Sequence, residues 1–71
     1  MDLSNKIVTI AFMSINSYPN ETTVKVNITQ QVAEGVFKQL DTYDLTFDVL
    51  YQSSSDPALL SAINEKLEAL P

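Results

Sequence analysis

Residues 29–41 read Thr-Gln-Gln-Val-Ala-Glu-Gly-Val-Phe-Lys-Gln-Leu-Asp, and whether they wind into a helix or extend as strands decides the fold. Val32, Ala33, Val36, Phe37 and Leu40 recur at helical spacing behind Thr29, a residue suited to an N-cap. The spacing predicts a helix from Thr29 to about Asp41. Gly35 inside it would cost roughly 1 kcal/mol relative to Ala, which a close approach of helix to sheet would explain. Glu34 and Lys38, four apart, would then pair on its solvent side.

Working upstream, Thr22–Ile28 alternates Val24, Val26 and Ile28 with Thr23, Lys25 and Asn27, the pattern of a half-buried antiparallel strand. Asn16–Glu21 concentrates turn formers around Pro19 and reads as a hairpin loop. Before it, Lys6–Ile15 is rich in β-branched and aromatic residues and predicts a strand. Strict alternation would put Val8, Ile10 and Phe12 on one face and Ile7, Thr9, Ala11, Met13 and Ile15 on the other. A strand apolar on both faces is either central in a covered sheet or placed at an interface.

Downstream, Leu45–Gln52 predicts a third strand with Leu45, Phe47, Val49 and Tyr51 inward and Thr46, Asp48 and Leu50 outward. Ser53-Ser54-Ser55 makes a polar connector. Asp56-Pro57 is a helix start, because the Asp side chain can cap while Pro sits in the first turn, where its missing N–H costs nothing. The helix it opens runs to about Leu70, with Leu59, Leu60, Ile63, Leu67 and Leu70 as its apolar stripe.

The expectation is an α+β fold of one domain over residues 1–71, a two-layer ββαβα arrangement. A three-stranded, mainly antiparallel sheet would carry two helices on one face. The apolar first strand is expected in the middle, in the order 2-1-3. With the second strand central, a right-handed parallel crossover would be needed instead.

Nine acidic residues against four lysines give the 71-residue chain a net charge of −5, which opposes a phosphate backbone or an anionic membrane. The expectation is therefore no direct nucleic-acid partner and no membrane partner. No basic n-region precedes the apolar run, which is too short and too interrupted for a span, so a cytoplasmic address is expected. Cys and His are both absent, which removes disulfides, the common zinc ligands, the thiolate nucleophile and every Ser-His arrangement. A core this small should supply about 3–5 kcal/mol, and oligomerisation is the staple left to it.

These absences argue against an enzyme, and no cofactor or metal is expected. Asp41, Asp44 and Asp48 gather near the expected helix–strand junction, but their spacing matches no cation loop and reads as solvated acids. Tyr18 and Pro19 at the hairpin tip, with those three acids, are the residues expected to meet a protein partner. Ile7, Ala11, Met13, Ile15 and Leu50 would form an apolar patch on the sheet face away from the helices, rimmed by polar residues, and join a homodimer there. The chain thus reads as a small acidic interaction module that blocks or adapts a larger protein. In size, element order and acidic balance it resembles the accessory proteins of phages and mobile elements, a likeness that rests on no motif. The alternative is a homo-oligomeric protein that sequesters a small ligand where subunits meet, suggested by the tyrosines and the serine run beside a helix start.

Overall fold

A computed structural model describes the whole chain, Met1–Pro71. Three strands, β1 (Lys6–Ser17), β2 (Asn20–Ala33) and β3 (Val36–Phe47), precede one helix, α1 (Pro57–Glu68). Both strand pairs are antiparallel and the order is β1-β2-β3, a meander with β2 in the centre. The ββαβα expectation fails at residues 29–41, which are strand, turn and strand. One helix, not two, lies on the sheet, and the chain is mostly β.

The physical reason is local. Glu34 and Gly35 make a two-residue turn joining the paired Ala33 and Val36, with Gly35 at φ +71°. No heavy atom lies within 4 Å of where its Cβ would be, so glycine is required by the left-handed backbone and not by close packing. The register of β2 against β3 slips between Gln31 and Ala33, leaving Val32 extra, and again between Ile28 and Thr29, leaving Leu40 extra on β3. Two bulges and a turn break the period of two and leave apolar residues three and four apart, which imitates a helix face. Glu34 therefore sits in the turn and Lys38 on β3, so they share no helix.

A third bulge overturns the expected faces of β1. Ile10 pairs with Val26 and Phe12 with Lys25, so Ala11 is the unpaired residue. Beyond it the parity reverses: Met13 lies opposite the buried Val24 and packs against the core, while Phe12 points away from the helix. The second apolar face that argued for a central β1 is largely a product of this reversal. β2 holds the centre because Val24, Val26 and Ile28 are its fully buried row.

The third strand lies earlier than its expected span of 45–52. Leu45 is buried and Phe47 half-buried as expected, but Val49 and Leu50 lie in the connector to α1. Thr22 holds that connector: its hydroxyl donates to the Val49 carbonyl at 2.7 Å and accepts from the Tyr51 amide at 3.1 Å. Tyr51 packs its ring edge-on against Phe47, with centroids 5.9 Å apart. The Asp56 carboxylate then accepts from the Ala58 amide at 2.9 Å, capping α1 as the Asp-Pro pair predicts.

Seven side chains form the buried core: Val24, Val26 and Ile28 of β2, Leu45 of β3, and Leu59, Ile63 and Leu67 of α1. Twelve helical residues span about 18 Å, whereas the fourteen of β2 span about 42 Å. The helix thus covers less than half the length of the sheet. The molecule measures 44 × 23 × 19 Å. It exposes 4827 Å², where a compact monomer of its mass, 7.9 kDa, would expose about 4,400 Å².

Candidate functional site

The strands distribute the expected contact residues along the sheet. Ser17 pairs with Asn20, and between them Tyr18 and Pro19, joined by a cis peptide bond, form the β1–β2 tip. Tyr18 is 93% exposed, held only by its amide donating to Asn16 Oδ1 at 3.2 Å. Thr22 pairs with Phe47, the last residue of β3, so Asp48 follows at the same end of the sheet as Glu21. Asp44 lies further along β3 opposite Lys25, and Asp41 further still opposite Ile28. That end of the sheet thus carries Tyr18 and Pro19 at the tip, with Glu21 on β2 and Asp48 just past the end of β3, while Asp44 is on the open face further along and Asp41 is separate. No group of three or more His, Cys, Asp or Glu side chains is placed to hold a metal ion.

The residues expected at a dimer interface are also scattered. Ile7 is on the open face, Ala11 is in the bulge, Met13 turns toward the core, Ile15 pairs with Thr22, and Leu50 lies in the connector. The middle of the open face is polar. Thr23 and Thr46 meet at 3.4 Å across β2 and β3, and Gln39 Nε2 donates to Thr42 Oγ1, which donates to Asn27 Oδ1, each at 3.0 Å. Apolar residues on that face lie toward both margins, with Phe12 62% exposed on β1 and Phe37 55% exposed on β3. A central patch with a polar rim is not assembled, because β1 is an edge strand.

What sequence reading missed is the contrast between the two edges of the sheet. On β3, Asp41 Oδ1 accepts from the Thr42 amide at 2.8 Å, and Lys66 of α1 donates to the Thr46 carbonyl at 2.7 Å. The same ammonium lies 4.9 Å from the Phe47 ring centre, a cation–π contact that helps seat it. Asp44 and Lys38 add charges along this strand. The Tyr43 hydroxyl, on the helix side, is held above the usual phenol range by partial burial and then by neighbouring Asp41. Along β1 no side chain bonds the backbone beyond the Ile7 carbonyl, which Thr29 reaches at 3.5 Å. From Ile7 to Ser17 the strand carries no charge.

Beside this bare edge runs a groove of about 600 Å³ between β1 and α1. Leu3, Val8, Ile10, Leu60 and Ile63 give it apolar walls, and Lys6 and Glu68 stand at one end. The turn into β1 is fixed by Asn5 in the left-handed region and by Asp2, whose carboxylate accepts from the Ser4 amide at 2.9 Å. That bond, with Lys6 nearby, holds Asp2 below the ordinary Asp range. The sequence signal for the edge was available in the charge-free run 7–17, but only the strand order makes it an edge.

Compared with known proteins, the chain matches no family model, no curated protein and no solved structure at a significant level. No helix is long and apolar enough to cross a membrane.

Proposed function

We propose that the protein is a small interaction module that docks its β1–β2 tip on a larger protein and blocks or adapts that partner. The observation that carries this reading is the tip itself: a nearly fully exposed tyrosine beside proline, with the acids Glu21 and Asp48 at the same end of the sheet. Tyr offers a large apolar body with a polar end at low entropic cost, the combination enriched at binding hot spots. The acids favour a basic patch on the partner and would speed encounter with it. The reading assigns the protein to the cytoplasm, where a cysteine-free chain has no oxidising compartment to exploit.

A photo-crosslinking residue in place of Tyr18, compared with one in place of Glu65 on the exposed side of α1, tests the proposal in the native host. The tip position should yield one discrete crosslinked protein that the helix position does not. Tyr18→Ala should weaken its capture by more than about tenfold, the scale of an aromatic hot spot. Capture should also fall as salt rises. Equal crosslinking from both positions, or capture indifferent to Tyr18, would sink it.

A further inference from the structure

We infer that the β1 edge is the site at which a second copy of this chain adds. Two β1 strands pair antiparallel about a two-fold axis normal to the sheet, joining two three-stranded sheets into one of six strands. Both helices then lie on the same side. This is independent of the tip, which projects from the end of the strand.

Three observations select this occupant. The first is the unfinished backbone: an edge strand with free N–H and C=O groups is a template for another strand unless charge, a covering group or a bulge blunts it. β3 has all three, in Asp41 and Asp44, in Lys66 on Thr46, and in the bulge at Leu40. β1 has only the bulge at Ala11, which leaves Lys6–Ile10 regularly paired to β2 and free on its outer side.

The second is charge. A chain of net charge −5 repels its own copy, so two copies meet most readily through a surface free of acids. None of the nine acidic residues lies between Lys6 and Ser17. Pairing through β3 would instead bring Asp41 and Asp44 of both copies together. A basic partner strand gains little at β1, since the one carboxylate lining the adjacent groove, Glu68, shares it with Lys6.

The third is the groove. Val8 and Ile10 form its floor at the β1 margin, and Leu60, 43% exposed, forms its outer wall on α1. Strand pairing extends that floor with the second copy's Val8 and Ile10 and lets the two Leu60 side chains approach across the seam. On the other face, Ile7 and Phe12 of each copy line the same seam. The dimer thus covers apolar surface that a core of seven side chains leaves in water.

The chain has no cysteine, so single substitutions report cleanly. Ile7→Cys and Thr9→Cys, alone and mixed under mild oxidation, should give a disulfide-linked dimer in at least one combination, because directly opposed residues on paired strands have the required spacing. Thr46→Cys on β3 should stay monomeric. Sedimentation of the unmodified protein at tens of micromolar should show a dimer that tightens as salt screens the repulsion. The exposed pair Ile7→Lys and Phe12→Lys should weaken it by at least about tenfold while the circular dichroism spectrum is retained, since like charges would meet across the seam. A monomer at that concentration, no crosslink in any β1 combination, preferential crosslinking at Thr46, or a dimer indifferent to the two lysines would each overturn the inference.

Discussion

Along β3, the Thr42 amide is held by Asp41 and the Thr46 carbonyl by Lys66, whereas the outer backbone of β1 beyond Ile7 is bonded by no side chain. Both strands have twelve residues and both flank β2. What separates them is where charge was placed. β3 carries Lys38, Asp41 and Asp44, while β1 carries none after Lys6. A sheet needs such devices wherever an edge is to stay unpaired, so a finished edge beside an unfinished one marks the second as the contact surface.

The strongest way to break the contrast is to remove what supports both edges. Truncation before Asp56 deletes Leu59, Ile63 and Leu67, three of the seven core side chains, and the Lys66 that seals β3. Each such side chain contributes roughly 1.5–3 kcal/mol, against about 3–5 in total for a domain of this size. The truncated chain should show no cooperative melting transition by circular dichroism.

A selective break removes the charges of β3 alone. Asp41→Asn with Asp44→Asn should leave the fold intact and supply a second adhesive edge. Copies could then join through both edges, and light scattering should report open-ended assemblies in place of a closed dimer. Unchanged particle size would mean that these acids do not guard the edge.

Thr22→Val sharpens the β3 side further, since Thr22 ties the chain leaving β3 back to the centre of the sheet. The isosteric change leaves the Val49 carbonyl and Tyr51 amide without their partner, and should cost about 1–3 kcal/mol in denaturant unfolding.

How much of this could be read from residue order differs by segment. The turn at Pro19, the alternating row Val24, Val26 and Ile28, and the Asp56-Pro57 helix start are set by neighbours in sequence, and each stands where expected. The segment 29–41 was misread because bulges at Val32 and Leu40 around a two-residue turn reproduce helical spacing. Gly35 at the midpoint and the β-branched Val32 and Val36 were the contrary signals. The bulge at Ala11 has no mark in the sequence, and it alone moves Met13 inward and Phe12 outward. The turn at Tyr18-Pro19 is unaffected by these bulges because it is local, whereas the expected dimer patch depended on strand order and parity and is not assembled.

The smallest effect concerns the entry to β1. Asp2 has its folded pKa depressed below the ordinary 3.8, chiefly by the Ser4 amide. Its stabilising contribution is therefore present above that pH and lost as pH falls through the folded value. Asp2→Asn should melt slightly lower than the native chain near neutrality, and the gap should close in acid below pH 3.8. A gap that persists there would show that the charge of Asp2 is not what matters.

Residue-resolved amide hydrogen exchange over a dilution series tests the central contrast most directly. At high concentration the outward amides of β1 between Ile7 and Ile10 should be protected, and dilution should release them, while the outward amides of β3 keep the same exchange rate throughout. β1 amides that exchange quickly at every concentration, or β3 amides that gain protection instead, would contradict the account.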